Sequence, residues 1–149
     1  MFMREISALS RYWYSYTHRN LKTLDLAGSE HSIIMALAMK ECMNQEELST
    51  FLSLDKGTIA KALVKLEGKR FVDREVNEEN RREKIVTLTT YGKEEVGKIF
   101  EVSEKWKQDV LEGISEEDQE VFFRILFSVS QRAKMILANE NMEKDVYDN

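Results

Sequence analysis

Residues 56–69 form a predicted helix whose two faces differ in chemistry. At about 100° per residue, one face is apolar and contains Ile59, Ala62, Leu63 and Leu66. The opposite face is mostly small or basic and contains Gly57, Lys61, Val64 and Gly68, flanked by Thr58 and Lys65. Small residues permit close approach to base edges in the major groove of DNA, and lysine reaches guanine acceptors or phosphates. The pattern favours a DNA-reading helix, although a solvated lysine face alone has the same pattern.

A second basic segment follows this helix. The polar run NEENRREK includes the tip of a predicted hairpin and carries Arg81, Arg82 and, at the start of the second strand, Lys84. A guanidinium on a thin protruding tip can enter a minor groove or contact phosphates. Three glutamates in the same run also fit a charged hairpin without such a role. The candidate DNA-binding residues are Lys56, Gly57, Thr58, Lys61, Lys65, Arg81, Arg82 and Lys84.

The charge of the chain is unevenly distributed. The whole chain carries a formal charge of −5, yet residues 54–84 contain nine basic and seven acidic residues, a local charge of +2. Binding to nucleic acid depends on the local potential rather than on the total charge. The acidic balance therefore does not exclude DNA as a partner.

The elements that would position these residues are mostly helical, because the chain has no proline and only six glycines. Helices are predicted over residues 4–22, from Ser29, from Asn44 to about Leu52, over 56–69, after Thr89 and after Ser115. Two strands, at residues 71–76 and 84–89, form a predicted hairpin. The predicted fold class is mainly α with a small β-hairpin (α+β).

Local signals define the boundaries of the central helices. Asn44 and Glu47 have the spacing of a capping box, and Asp55 can cap the helix that follows it. Only three residues, 53–55, join the two helices, which predicts a helix-turn-helix. Because the hairpin follows directly, we predict a winged helix-turn-helix lobe.

The outer helices carry apolar stripes that one small lobe cannot cover. On the first helix the stripe consists of Ile6, Leu9, Trp13, Tyr16 and Leu21. On the fifth it consists of Val96, Ile99, Phe100, Ser103, Trp106 and Val110, and on the last of Phe122, Ile125, Leu126, Val129, Ala133 and Ile136. The second helix is predicted to bury Ile33, Ile34, Leu37 and Ala38. These stripes predict a homodimer.

Residues 48–92 resemble the DNA-binding region of the MarR family of transcription regulators, and the order of the flanking helices matches over nearly the whole chain. The most specific motif is that family's wing signature, Asp-x-Arg, five residues, then Leu-Thr. Here it is Asn80-Arg81-Arg82, residues 83–87 and Leu88-Thr89.

The resemblance implies a single MarR-type domain over residues 1–149. Within it, residues 29–89 would be the winged helix-turn-helix DNA-binding lobe, and residues 1–24 and 115–140 the dimerisation helices that intertwine with a second subunit. Residues 56–69 would be the recognition helix and Arg82 the wing arginine.

The resemblance also implies how such a protein acts. A homodimer would bind a palindromic operator in double-stranded DNA, most often as a repressor, and a small aromatic or phenolic effector would alter the separation of the two recognition helices. The candidate effector pocket consists of Tyr12, Tyr16, His31 and Met35, although an aromatic cluster of this kind is also typical of a dimer core.

Two positions depart from the family pattern. Asn80 replaces the usual Asp, so a neutral amide stands where a carboxylate would brace the wing arginine. Arg70 stands where the family usually has Gly after the recognition helix, which predicts a different helix exit or an added positive charge near the DNA backbone.

Other functional classes find little support. Cys42 is the only cysteine and the two histidines lie on different predicted helices, so we expect no disulfide, no metal site and no cofactor. No phosphate loop or nucleophile motif occurs, so we expect no enzyme. Cys42 is expected near the end of the second helix as a small hydrophobe. The longest uncharged apolar run, residues 32–39, is too short to cross a membrane, which predicts a cytoplasmic protein.

The alternative function is a winged-helix protein-interaction module without specific DNA binding. Its acidic flanks would contact another protein. Salt-dependent retention on random DNA distinguishes the two, because an interaction module should show little.

Overall fold

Helices make up most of the protein in the computed structural model, which describes residues 1–147 and the side chains of residues 1–138. The helices are α1 (Phe2–Asn20), α2 (Glu30–Lys40), α3 (Gln45–Leu52), α4 (Lys56–Gly68), α5 (Thr90–Val110) and α6 (Glu116–Tyr147). A short 3-10 turn, Lys22–Leu24, lies between α1 and α2. The six predicted helices are therefore confirmed, but α6 continues past the predicted end near residue 140 to Tyr147.

The sheet has one strand more than the sequence predicts. Its strands are β1 (Cys42–Asn44), β2 (Val72–Val76) and β3 (Lys84–Leu88), in the antiparallel order β1-β3-β2. The predicted hairpin of β2 and β3 is confirmed, with Val72 opposite Leu88 and Val76 opposite Lys84. Cys42, expected near the end of the second helix, lies just past it as the first residue of β1, because α2 stops at Lys40 and Glu41 adopts a φ of 62°. Cys42 is exposed and pairs with Thr87 of β3.

The hydrophobic core of residues 1–108 fixes α4 from one side. The four residues predicted to face inward from α4, Ile59, Ala62, Leu63 and Leu66, are all buried. They join Ile33, Ile34 and Leu37 of α2, Leu48 of α3, and Phe71, Val72 and Val86 around the sheet. Ala38, which we predicted to be buried, is exposed, and Ala36 is buried instead.

Side-chain caps define most helix starts. Glu47 N–H donates to Asn44 Oδ1 at 2.8 Å while Asn44 N–H donates to Glu47 Oε2 at 2.7 Å, which confirms the capping box. At the start of α6, Asp118 N–H donates to Ser115 Oγ at 3.2 Å. Ser29 is the N-cap residue of α2, as expected, but its side chain makes no capping hydrogen bond.

The start of α5 packs closely on the chain that leaves α4. Thr89 Oγ1 accepts from Gly92 N–H at 2.9 Å and donates to the Arg70 carbonyl at 2.6 Å. A Cβ atom at Gly92 would overlap the carbonyl oxygen of Phe71. Only glycine therefore fits this position without a backbone shift.

The chain divides into two compact units, Met1–Gln108 and the residues from Asp109 onward. In the first unit, Trp106 of α5 packs on α1, with ring centroids 5.8 Å from Trp13 and 4.9 Å from Tyr16. Phe100, on the same predicted stripe, is 51% exposed. In the second unit, the apolar residues of α6 between Val121 and Leu137 are exposed. Among the described residues, no helix is both long and apolar enough to span a membrane.

Candidate nucleic-acid interface

The turn between α3 and α4 sets the start of α4. Ser53 adopts a left-handed conformation, and Ser49 Oγ donates to the Leu54 carbonyl at 2.5 Å. Asp55 then caps α4 by accepting from Thr58 N–H at 2.8 Å and from Thr58 Oγ1 at 2.5 Å. These two bonds from Thr58 lower the pKa of the Asp55 carboxyl. The predicted helix-turn-helix is confirmed.

The outward face of α4 agrees with its predicted composition. Gly57, Lys61, Lys65 and Gly68 are exposed, and Val64 among them is 59% exposed. Thr58 is half-buried, and its hydroxyl donates its hydrogen to Asp55. Lys61 and Lys65 therefore carry the charge of this face.

Lys56 lies at the first position of α4 and is held by α3. Its Nζ lies 3.0 Å from Glu46 Oε1, and its carbonyl accepts from Gln45 Nε2 at 3.2 Å. Both members of the Lys56–Glu46 pair are largely exposed. An exposed pair of this kind contributes little energy, so Lys56 can exchange Glu46 for another anion.

The wing tip consists of residues 77–83 between β2 and β3. Its turn is closed by bonds from Asn77 N–H to the Glu83 carbonyl, at 3.0 Å, and from Glu83 N–H to the Asn80 carbonyl, at 2.9 Å. Arg81 and Arg82, and Lys84 at the start of β3, are exposed. The tip therefore presents its cations to solvent.

The two positions that depart from the family pattern have local explanations. Asn80 Oδ1 accepts from the backbone N–H of Arg82 at 3.3 Å, so its side-chain oxygen braces the backbone of the tip. Arg70 has a φ of 66°, the left-handed conformation that suits glycine. Arg70 thus leaves α4 in a glycine-type conformation, and its added positive charge near the DNA backbone stays a prediction.

A groove of about 380 Å³ lies between the wing and the helix-turn-helix. Its basic lining residues are Lys56, Arg74, Arg82 and Lys84, and its acidic ones are Glu46 and Glu83. The structure thus brings together three of the predicted residues, Lys56, Arg82 and Lys84. Lys61, Lys65 and Thr58 line another groove, which also includes Tyr14 of α1.

Arg74, which was not predicted from the sequence, also lines the first groove. Arg74 Nε donates to Glu67 Oε2 of α4 at 3.0 Å, and this hydrogen bond lowers the pKa of the Glu67 carboxyl. The pair ties β2 of the wing to the recognition helix. The sequence feature that could have identified Arg74 is the alternation of side-chain directions along β2. In the structure Arg74 pairs with the buried Val86 of β3.

The four candidate effector-pocket residues have different environments. Tyr12 is 63% exposed, Tyr16 packs on Trp106, and Met35 packs against the core. His31 is buried, with its ring 5.6 Å edge-on from Trp13. Burial lowers the pKa of His31. A cavity of about 260 Å³ brings His31 together with Trp13 and Tyr14, while Tyr12, Tyr16 and Met35 do not line it.

Within the part of the chain that the structure describes, no three His, Cys, Asp or Glu side chains are grouped as metal ligands would be. Cys42 lines a surface groove with Glu41, Lys93 and Val96. Its exposure contradicts the expectation of a buried small hydrophobe.

A helix-turn-helix followed by an antiparallel wing defines the winged helix-turn-helix class. Residues 26–84 match the model of the MarR family. The uncharacterised HTH-type transcriptional regulator YybA of Bacillus subtilis is 25% identical over 143 residues, which cover 96% of this chain and 89% of YybA.

Solved structures agree with this match. A MarR protein from Peptoclostridium difficile is 25% identical, with a TM-score of 0.86, covering 89% of this chain and 86% of that protein. A mutant MarR from E. coli, complexed with operator DNA, shares the fold with a TM-score of 0.77 at 22% identity, covering 85% of this chain and 91% of that one. Residues 26–84 thus match the MarR family of winged helix-turn-helix transcriptional regulators, and the chain as a whole is similar in sequence and fold to such regulators. This similarity agrees with the expectation that the chain is not an enzyme.

Proposed function

We propose that this protein binds operator DNA as a homodimer and thereby regulates transcription. The observation that carries the proposal is the groove that joins Lys56 at the start of α4 to Arg82 and Lys84 of the wing. One unit thus presents a recognition helix and a basic hairpin side by side. The related E. coli protein, complexed with operator DNA, shares this fold.

Each element has its own role in this proposal. The outward face of α4 enters the major groove, where Lys61 contacts base edges and Lys65 contacts phosphate. Arg82 of the wing enters the minor groove or contacts the backbone, with Arg81 and Lys84 beside it. Gly57 and Gly68 leave room for close approach. Lys56 exchanges its exposed partner Glu46 for a phosphate.

The second subunit covers apolar surface on the outer helices. Phe2, Ile6 and Leu9 of α1 are between 42% and 64% exposed. On α6, Phe122, Ile125 and Phe127 are between 42% and 66% exposed. Exposed apolar surface on this scale marks an interface. We therefore keep residues 1–24 and 115–140 as the proposed dimerisation helices and residues 29–89 as the proposed DNA-binding lobe.

The regulatory output proposed is repression, with release by a small aromatic or phenolic effector. An effector bound in the cavity that His31 lines with Trp13 and Tyr14 would change the separation of the two recognition helices and hence their fit to successive major grooves. His31 and its aromatic neighbour Trp13 support this location.

The test is binding to two kinds of duplex over a range of salt concentration. One duplex is selected by the wild-type protein from a random-sequence pool, and the other is a scrambled version. Lys61→Ala should weaken binding to the selected duplex more than to the scrambled one, whereas Lys65→Ala should weaken both about equally. Lys40→Ala removes one exposed charge from the end of α2 and is the matched control.

Three outcomes would count against parts of the proposal. Equal losses for Lys61→Ala on both duplexes would reduce Lys61 to a phosphate contact. Failure to select any duplex, together with little salt-dependent binding, would favour the protein-interaction module instead. A soluble, cooperatively folded monomer after deletion of residues 1–22 would contradict the interlocked dimer.

A further inference from the structure

A buried ion pair joins the end of α4 to the start of α2. Glu30, the first residue of α2, is 2% exposed, and its Oε2 lies 2.8 Å from Lys69 Nζ. The same carboxylate accepts from Ala27 N–H at 3.1 Å. Lys69 is the C-cap residue of α4. The proposed roles in DNA contact and dimerisation do not use this pair.

Lys69 also contacts the connection between α1 and α2. Its ammonium donates to the backbone carbonyl of Asp25, and Nζ lies 3.5 Å from Asp25 Oδ2. Asp25 adopts a left-handed conformation with a φ of 52°. One ammonium thus bonds both the connection and the first residue of α2.

The two ends of α4 are therefore held by different parts of the molecule. The first turn is held by α3, through the bond from Gln45 Nε2 to the Lys56 carbonyl. The last turn is held by the connection that leads back to α1. If α1 is a dimerisation helix, this connection is the covalent path from the dimer interface to the DNA-binding lobe. A contact from that path to α4 limits the tilt of the helix.

We propose that Lys69 is a positioning residue for DNA recognition. Its bonds to Glu30 and Asp25 fix the C-terminal end of α4 relative to the connection from α1, and so set the spacing at which two recognition helices meet successive major grooves. This inference rests on the proposed function as a DNA-binding homodimer. It adds a residue that touches no DNA but determines which arrangement of half-sites is preferred.

A ratio of affinities separates this role from a contribution to stability. A loss of folded protein lowers the apparent affinity for every duplex by the same factor. A change in the position of α4 affects duplexes differently, because base contacts need a defined geometry while phosphate attraction tolerates variation. The relevant quantity is therefore the ratio of Kd values for two duplexes that differ only in half-site spacing.

The experiment uses the full-length protein and a duplex that it selects from a random-sequence pool. A second duplex has one base pair inserted between the two half-sites. Wild-type protein should discriminate strongly between them. In Lys69→Met the Kd for the duplex with the inserted base pair, divided by the Kd for the selected duplex, should fall by at least about fivefold. This is the effect of losing one well-formed base contact.

Lys69→Met leaves the buried Glu30 carboxylate without its ion-pair partner, which destabilises the fold. The double variant Lys69→Met with Glu30→Gln removes both charges and should fold while showing the same narrowed ratio. Lys69→Arg keeps a cation at this position and should restore part of the discrimination.

The matched control is Lys98→Met, which breaks an ion pair within α5, to Glu95. This variant should keep the wild-type ratio, because neither residue belongs to α4, to the wing or to the connection from α1. A folded double variant with the wild-type ratio would overturn the positioning role. Failure of the wild-type protein to select a duplex with two half-sites would instead count against the proposed function itself.

Discussion

The recognition helix and the wing tip form one candidate interface but are held in very different ways. Helix α4 buries Ile59, Leu63 and Leu66 completely and is capped by Asp55. The wing tip packs no buried side chain between residues 77 and 83, and two backbone bonds close its turn. Charge on α4 is thus carried by a rigid scaffold, whereas charge on the wing is carried by a surface turn.

The difference predicts how substitutions separate folding from binding. Changes on the inner face of α4 should reduce stability, and DNA binding should fail only because the protein unfolds. Changes at the wing tip should reduce binding while leaving stability unchanged.

Leu63→Ala should have the largest effect. Leu63 is fully buried, and truncating a buried leucine costs about 2–5 kcal/mol through lost burial and a residual cavity. Urea unfolding measures the change in the free energy of unfolding. Val64→Ala, at the next residue on the exposed face, is the control and should cost less than about 0.5 kcal/mol. A loss below about 1 kcal/mol for Leu63→Ala would mean that α4 is not anchored as described.

Gly92→Ala should have the next largest effect, at the junction between the wing and α5. The new Cβ atom would overlap the Phe71 carbonyl oxygen, which belongs to the backbone and cannot rotate away. Overpacking of this kind costs about 1–3 kcal/mol. The matched control is Gly97→Ala, five residues further along α5, where a Cβ atom meets nothing within 4 Å. That variant should gain up to about 1 kcal/mol from helix propensity, and equal losses at both sites would contradict the account.

Arg70→Gly should stabilise the protein slightly. Arg70 has a φ of 66°, and a left-handed conformation costs a residue with a side chain about 1 kcal/mol or more. Glycine removes this cost but adds entropy to the unfolded chain, so the expected gain is about 0.5 kcal/mol. Arg70→Ala removes the same charge while keeping the strain, and thermal unfolding should show no gain. A gain in stability in both variants would show that the effect comes from removing the charge instead.

The sequence was sufficient where local chemistry decides the structure. The capping box of Asn44 and Glu47, the cap at Asp55 and the inward face of α4 depend on residues within a few positions of one another. Such signals survive whatever tertiary structure surrounds them. The helix-turn-helix and the wing were therefore predictable from spacing alone.

Features that depend on distant residues were not predictable. Strand β1 has three residues and exists through its pairing with β3, more than forty positions later in the chain, so this strand, which begins at Cys42, was not predicted. The Lys69–Glu30 pair joins residues 39 positions apart. The four candidate effector-pocket residues do not line one cavity, for the same reason. Trp13 and Tyr14 line the cavity with His31, where Tyr12 and Tyr16 were expected.

Arg82→Ala should have the smallest effect on stability and a clear effect on binding. Arg82 is exposed on the wing tip, and a surface change of this kind alters stability by less than about 0.5 kcal/mol. If Arg82 contacts phosphate, its loss should flatten the slope of log affinity against log salt by roughly 0.9 for each subunit. A minor-groove contact without phosphate neutralisation would weaken binding with less change in slope, so slope and affinity are measured together on the selected duplex. Asn80→Asp is the companion variant: it keeps an oxygen for the Arg82 backbone N–H and adds a charge near the guanidinium, which should brace Arg82 and improve binding. If Arg82→Ala kept the wild-type affinity and slope, the wing would not belong to the interface, and α4 alone would contact the DNA bases.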